Sequence, residues 1–490
     1  MYLQDKEKVL EVLESVIEAM EYIEGNIYAA EEFISLACEL LENLEGYLVK
    51  KKEDKYIVEI QSIIDKFKDD TPINTEEELL DVVNIIKNNA MDIRSKVFEE
   101  ETRFKVVFLP YKASMWTALE SIWKAADEDP RCDAYVVPIP YYDLGGNQPI
   151  YCYEKNEYPS YVPVIDYREF SVQDEEPEII YIHNPYDDTN NLTRVPKEYY
   201  SRNLKGYTKC LVYSPYFTIG SYVPGMSNYH YLNAGSKNAD KIVVQCEAAK
   251  KIYKQYGYAE ERLITYGSPK VDAVVNRLQE PLELEEEWRE KLKDKYVFLM
   301  NTHLSYFPKA VSENRQDIFE HYEAIVEDIL QRQNCALIWR PHPLLKSMLE
   351  ERFPQCAEFI QKIEDKVASA DNGIVDKTSD YIKSFKCSHA MVTTYSSLLN
   401  EYMITGKPAY ILDESQTKES HDRSPLKRNY NYFLFGEKIT PWNEFIDMVF
   451  KEEDPMYEKR KETVKQAFTT LDGSVGIKIH KEVIDTLMDK

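Results

Sequence analysis

The chain contains no stretch approaching ~18 consecutive apolar residues, which excludes a membrane-spanning helix. Its opening residues, Met1-Tyr-Leu-Gln-Asp-Lys-Glu7, lack a basic region followed by an apolar block, so no signal peptide is expected. Positive charge is scarce: 60 Lys and Arg stand against 86 Asp and Glu, a net charge of −26. That balance excludes general binding to nucleic acid or to an anionic membrane surface, although a local basic patch can still hold phosphates. The eight cysteines include no Cys-x-x-Cys pair, which excludes zinc ribbons and redox dithiols, and their scatter excludes a secreted disulfide framework. Most stand in apolar contexts such as Lys209-Cys-Leu-Val, where a small buried thiol in a reducing, cytoplasmic location is expected. No Asp-x-Asp of the metal-and-diphosphate type lies at a strand end, and the histidines are not paired at ligand spacing. Neither a metal nor another cofactor is therefore expected.

What remains is a globular composition, 43% hydrophobic and 30% charged over 490 residues, enough for two or three domains. Residues 1 to 100 differ from the rest: they hold 11 Lys and Arg against 25 Asp and Glu, a net −14. Apolar residues recur there at Val9, Leu13, Val16, Met20, Ile23, Ile27, Ala30, Ile34, Ala37, Leu41, Leu44 and Leu48. Alternating steps of four and three place all twelve on one helical stripe. A second run, Leu79, Val83, Ile86, Ala90, Ile93 and Val97, follows a capping box at Thr75-Glu-Glu-Glu78. Gly25-Asn26 is where the first helix would bend or split, since glycine costs ~1 kcal/mol in a helix interior. Two readings stand side by side: an intramolecular helical hairpin packed on the body, or a coiled coil recruiting a second copy or another protein. The segment has no histidine and no polar cluster on its buried face, so neither reading supplies chemistry.

From residue 104 the texture changes to short apolar runs alternating with amphipathic helices, the pattern of an α/β domain with a parallel sheet. Strands are expected at Phe104–Leu109, Ala134–Pro138, Val162–Ile165, Ile179–His183, Lys209–Tyr213, Lys241–Gln245 and Leu263–Tyr266. A charged helical connection at 270–294 leads to a second set at Tyr296–Met300, Ala336–Trp339, Ala390–Thr393 and Pro408–Leu412. The expected fold is α/β, with two doubly wound Rossmann-like domains after an all-helical segment. The boundaries fall at 1–102, 103–282 and 283–490.

Ligands bind such sheets just past the carboxyl ends of the strands, and unusual polar residues gather at those ends here. They are Pro110-Tyr-Lys-Ala-Ser114, His183-Asn-Pro-Tyr-Asp187, Tyr213-Ser-Pro-Tyr-Phe217, Asn301-Thr-His303, Arg340-Pro-His-Pro343 and Thr393-Thr-Tyr-Ser-Ser397. In the last, two hydroxyls join the free N–H groups of a helix start, which forms an anion site unless Ser396 serves only as the cap. Prolines flanking His342 present its ring from a rigid turn, beside the guanidinium fork of Arg340. Tyr266-Gly-Ser-Pro-Lys-Val-Asp272 reads as a strand–turn–helix junction, with Gly267 in the turn and Pro269 at the helix start. A basic loop with Arg423, Lys427 and Arg428, and the pair Lys112 and Ser114, are candidates for contact with an acceptor.

Taken in order, these segments resemble the CDP-glycerol glycerophosphotransferase family, which includes teichoic acid primases and polymerases. The similarity runs from Ala239-Asp-Lys-Ile-Val-Val through Tyr266-Gly-Ser-Pro-Lys-Val-Asp272, Arg340-Pro-His-Pro343, Ser379-Asp-Tyr-Ile-Lys-Ser-Phe385, Thr393-Thr-Tyr-Ser-Ser397, Glu401 and Gly406-Lys-Pro408 to Asp472-Gly-Ser474. The resemblance implies a GT-B fold and attack of an acceptor hydroxyl on the β-phosphorus of CDP-glycerol, with release of CMP. It implies that Thr393, Thr394, Ser396, Ser397, Glu401 and Gly267 contact the donor. Arg340 and His342 would neutralise the diphosphate or assist the leaving group. Two departures stand out. Thr394 occupies a family aspartate position, and Tyr213-Ser-Pro-Tyr-Phe217 replaces a histidine-glycine-threonine-proline motif that carries the expected base. His183, oriented by Asp187, is the proposed substitute, the other reading being a hydrogen-bonded loop histidine.

The expected activity is thus transfer of a polyol phosphate from a CDP-activated donor to a polymer or lipid-linked acceptor. It would occur in the cytoplasm or peripherally at the inner membrane face, with a homo-oligomer or protein partner engaged through residues 1–100 and no nucleic acid. The alternatives are a GT-B glycosyltransferase using a nucleotide sugar, and a catalytically silent relative acting as an interaction module.

Overall fold

The computed structural model of the chain describes residues 1–68, 75–144, 148–219, 228–303, 306–341, 345, 349–350, 353–378, 380–394, 396–412 and 441–489. It resolves into two compact units. One comprises Met1–Val106, Asp127–Tyr135 and Glu176–Ile179; the other comprises Val107–Ala126, Val136–Glu175 and Ile180–Lys490.

The first unit is dominated by a four-helix bundle of α1 (Leu3–Gly25), α2 (Ala30–Lys51), α3 (Ile57–Phe67) and α4 (Glu76–Glu99). The long stripe does split where expected: α1 ends at Gly25 and a short 3-10 turn, Ile27–Ala29, precedes α2. Thr75 and Glu78 form the capping box, with N–H to side-chain oxygen distances of 3.1 and 3.2 Å. Helix α1 packs on both α2 and α4, and all the stripe residues except Ile27 and Ile34 are buried within this bundle. The apolar stripe is therefore consumed inside the unit rather than left open for a coiled-coil partner. The physical reason is the break at Gly25-Asn26, which lets the second half of the stripe fold back onto the first.

The α/β part contains fourteen strands among the described residues. A six-stranded sheet runs in the order β2-β1-β5-β7-β8-β9, from β1 (Phe104–Leu109), β2 (Cys132–Val136), β5 (Ile179–Ile182), β7 (Cys210–Tyr213), β8 (Lys241–Val243) and β9 (Leu263–Ile264). The strand expected at Val162–Ile165 is reduced to one bridge, Val136 to Val164, because Pro163 offers no N–H to continue the ladder. A small antiparallel sheet, unexpected from the sequence, runs β4 (Ile150–Cys152), β3 (Tyr141–Asp143), β6 (Thr193–Arg194).

The third sheet is wholly parallel and runs β12 (Gly373–Val375), β11 (Cys335–Trp339), β10 (Tyr296–Asn301), β13 (Ala390–Thr393), β14 (Ala409–Ile411). In chain order this is third, second, first, fourth, fifth. The winding reverses between β10 and β13, which marks the switch point where a Rossmann sheet opens a crevice. Both faces of this sheet are buried, by the clusters around Phe298 and Trp339 on one side and Leu299 and Ile338 on the other. Full burial on two faces is why its strands read as continuous apolar runs.

Candidate functional site

At the switch point of the third sheet, Asn301 and Thr393 are register partners at the ends of β10 and β13. The chain beyond them is cross-tied: the His303 N–H donates to Thr394 Oγ1 at 2.8 Å, and Asn301 Nδ2 donates to the Arg340 carbonyl at 2.8 Å. Three strand ends are thus held together by two hydrogen bonds. Thr393 and Thr394 are buried. Ser396 is the N-cap of the helix Ser397–Tyr402, accepting from the Leu399 N–H at 3.3 Å. The capping role of Ser396 is therefore real, and anion binding at this turn would be additional to it. His303, just past the end of β10, is a titratable group among the described residues of this turn. It is exposed, and partial desolvation lowers its pKa, which favours the neutral imidazole with a lone pair. Its position two residues past the end of the central strand was the signal that could have singled it out.

Arg340 lies at the end of β11, but its guanidinium turns toward β12. Nη1 meets Asp376 Oδ2 at 2.6 Å and Nη2 donates to the Thr378 carbonyl at 2.6 Å. Burial opposes the charge on Asp376, yet hydrogen bonds from Ser384 and Thr378 and the Arg340 cation hold its pKa below the usual carboxylate range. Glu401 is also committed internally. It pairs with Lys270 Nζ at 2.7 Å and accepts from the Tyr381 hydroxyl, with its side chain only 3% exposed. Gly267 adopts φ +127°, and a Cβ there would stand 3.2 Å from Val475 Cγ2, so the glycine makes room for the start of the last helix, Val475–Met488. His342, Arg423, Lys427 and Arg428 lie outside the described residues, as does the side chain of Ser397.

In the six-stranded sheet the winding reverses between β1 and β5, and His183 sits at the end of β5. It is fully buried, and its Nε2 accepts from the Tyr111 N–H at 3.0 Å. This bond places the ring proton on Nδ1 and occupies the lone pair a general base would need. Burial lowers its pKa to about 3. The expected pairing with Asp187 does not form. That residue adopts φ +46°, and its carboxylate accepts from Ser201 N–H at 2.7 Å and Ser201 Oγ at 3.0 Å. The loop-histidine alternative is the one this geometry matches. Lys112 lies 4.8 Å from the centre of the Tyr141 ring, and Ser114 is exposed in the turn Ala113–Ala118.

The two doubly wound regions are joined by specific bonds. Gln245 Nε2 donates to the Ala467 carbonyl at 3.0 Å, and Asn400 Nδ2 to Thr218 Oγ1 at 3.4 Å. Asp272, in the helix Pro269–Gln279, accepts from the N–H groups of Val475 and Gly476 at 3.1 and 2.8 Å. The segment read as a plain strand–turn–helix junction is therefore the clasp for the last helix.

Residues 222–485, more than half of the chain, match the family model described as CDP-Glycerol:Poly(glycerophosphate) glycerophosphotransferase. No curated protein sequence matches the chain. Among solved structures, an S. aureus MnaA–UDP co-structure is similar at TM-score 0.51 and 14% identity, over 79% of this chain and 98% of that one. A UDP-N-acetylglucosamine 2-epimerase is similar at TM-score 0.51 and 11% identity, over 80% of this chain and 98% of that one. The wall teichoic acid polymerase TagF aligns at TM-score 0.48 and 14% identity, over 79% and 89%. The first two likenesses carry the fold alone, that of the GT-B enzymes.

Proposed function

The chain belongs to the CDP-glycerol:poly(glycerophosphate) glycerophosphotransferase family, and on that premise we propose that it transfers a glycerol-phosphate or similar polyol-phosphate group from a CDP-activated donor. The acceptor is a hydroxyl of a cell-surface polymer or lipid-linked precursor at the inner membrane face. The acceptor oxygen forms a bond to the β-phosphorus as the bond from that phosphorus to the bridging oxygen breaks. CMP leaves with the electron pair, and the acceptor's proton passes to a base.

The observation that supports this reading best is the cross-tied switch point, where His303, Thr394 and Ser396 stand on adjacent strand ends. The turn of Thr394 and Ser396 holds the diphosphate, and the imidazole of His303, past the neighbouring strand end, accepts or donates a proton. Arg340 and Glu401 act as positioning residues, since their charges are already paired with Asp376 and Lys270. His183 fixes the Tyr111 turn.

A panel of CDP-glycerol, CDP-ribitol, CMP and UDP-sugars in thermal-shift and CMP-release assays tests the proposal. Stabilisation by CDP-activated polyols, with CMP formed in the presence of acceptor, is expected. Stabilisation by UDP-sugars and by no cytidine nucleotide overturns it. The bound lone pair of His183 favours one second reading, a catalytically silent relative, which donor binding without CMP release under any acceptor would select.

A further inference from the structure

The helix Ser397–Tyr402, which leads away from the turn of Thr394 and Ser396, is six residues long and carries a single charged residue, Glu401. So short a helix does not hold its own orientation and takes it from what its side chains reach. Two consecutive side chains of it reach back to the first doubly wound region. Asn400 Nδ2 donates to Thr218 Oγ1 at 3.4 Å, and Glu401 Oε1 accepts from Lys270 Nζ at 2.7 Å. Thr218 is buried in the segment that follows β7, and Lys270 stands at the start of the helix Pro269–Gln279, just past β9. The donor-side helix is thus tied at adjacent residues to two different strand ends of the other sheet.

The ties around Glu401 form a circuit. Arg277, further along the same helix face as Lys270, pairs with Asp380. The Asp380 carboxylate caps the helix Tyr381–Cys387, accepting from the N–H groups of Ile382 and Lys383 at 3.1 and 3.3 Å. The Tyr381 hydroxyl then donates to the second Glu401 oxygen. Three helices therefore converge on one carboxylate, and the Lys270 and Glu401 side chains are only 13% and 3% exposed. A buried ion pair is a poor device for stability, because desolvation of two charges offsets most of their attraction, and apolar replacements of similar volume often cost nothing. Its distinctive effect is to fix geometry, since both charges lose their partners if the helices shift. The geometry fixed here is that of the helix that begins at the diphosphate turn.

We infer that Lys270 and Thr218 are positioning residues for the donor. From the first doubly wound region they set the helix Ser397–Tyr402, and through it the turn of Thr394 and Ser396, against the diphosphate. Lys270 acts through Glu401 and Thr218 through Asn400. The inference rests on the transferase reading above.

CDP-glycerol turnover and urea denaturation of the full chain test this. Lys270→Met and Thr218→Val should each raise KM for CDP-glycerol about tenfold with a smaller change in kcat, since the turn is displaced while the reacting groups are kept. Lys270→Arg keeps the cation and should restore KM. The double variant Lys270→Met/Glu401→Gln removes both buried charges, so its denaturation midpoint should return toward that of the parent while KM stays raised. A KM that recovers together with the midpoint in the double variant overturns the inference, because the pair then serves stability alone. Unchanged KM in both single variants overturns it as well. A parent chain that neither binds CDP-glycerol nor releases CMP removes the transferase reading and this inference with it. A parent that turns over, with variants that follow it, removes this inference alone.

Discussion

The Tyr111 N–H donates to His183 Nε2 at 3.0 Å across the switch point of one sheet, and the His303 N–H donates to Thr394 Oγ1 at 2.8 Å across the switch point of another. In each case a side chain at the end of one strand fixes the turn that leaves its neighbour. Both crevices are therefore pre-shaped by the chain's own bonds, before any ligand arrives.

His183→Ala should lower stability by about 2–4 kcal/mol, since it opens a cavity and leaves the buried Tyr111 N–H without an acceptor. His183→Gln, whose amide oxygen can accept that bond, should recover part of the loss and part of the CMP release. Urea denaturation alongside turnover decides the matter. A Gln variant as stable as the parent but without turnover would make His183 a proton carrier rather than a positioning residue.

Acid should destabilise the protein through its buried imidazoles. His183 and His230 have folded pKa values lowered to about 3 and about 4 from 6.5. Below pH 6.5 the unfolded chain takes up these protons and the folded chain does not. Stability is thus lost as pH falls from 6.5 toward 4, by about 1.4 kcal/mol per pH unit for each ring. Denaturation midpoints measured between pH 7 and 5 should fall more steeply for the parent than for a His183→Gln/His230→Gln double variant. Parallel profiles would remove the assignment.

The long parallel strands were legible because burial on both faces writes them as apolar runs. Phe104–Leu109 and Ala390–Thr393 fall where pattern reading places them. Gly373–Val375 and the three antiparallel strands were not, since they lack the longer apolar run that surrounds the equally short Lys241–Val243 and Ala409–Ile411. At the site, strand-end position was legible and side-chain direction was not. Nothing local to His183-Asn-Pro-Tyr-Asp187 announces that Asp187 turns with positive φ toward Ser201. Glu401 finds Lys270 across 131 residues, a pairing that only the tertiary fold creates.

Thr394→Val removes the acceptor of the His303 N–H while keeping the shape of the side chain. The expected cost is about 1–2 kcal/mol in stability, together with a raised KM for the CDP-activated donor as the β10 turn loosens. Thr394→Ser restores the hydroxyl and should restore KM. A Val variant with unchanged KM and unchanged midpoint would show that the tie does not shape the crevice.

Asp272 is fully buried and offers its two carboxylate oxygens to the first N–H groups of the Val475–Met488 helix. It acts as a cap supplied by another helix, 203 residues away in sequence. Asp272→Ala leaves both donors unsatisfied at a buried helix start and should cost about 2–3 kcal/mol. Asp272→Asn keeps one acceptor and should cost roughly half as much on the same grounds. Gly476 tests the same joint from the other side. A Cβ there would lie 2.3 Å from the Ser121 backbone, a distance no rotamer change relieves. Gly476→Ala should therefore displace the helix and loosen the clasp at Asp272 as well. Hydrogen exchange across Val475–Met488 reads both outcomes, because release of the clasp raises exchange in that helix before the third sheet responds. Unchanged protection of the helix in Asp272→Ala would mean that packing alone holds it in place.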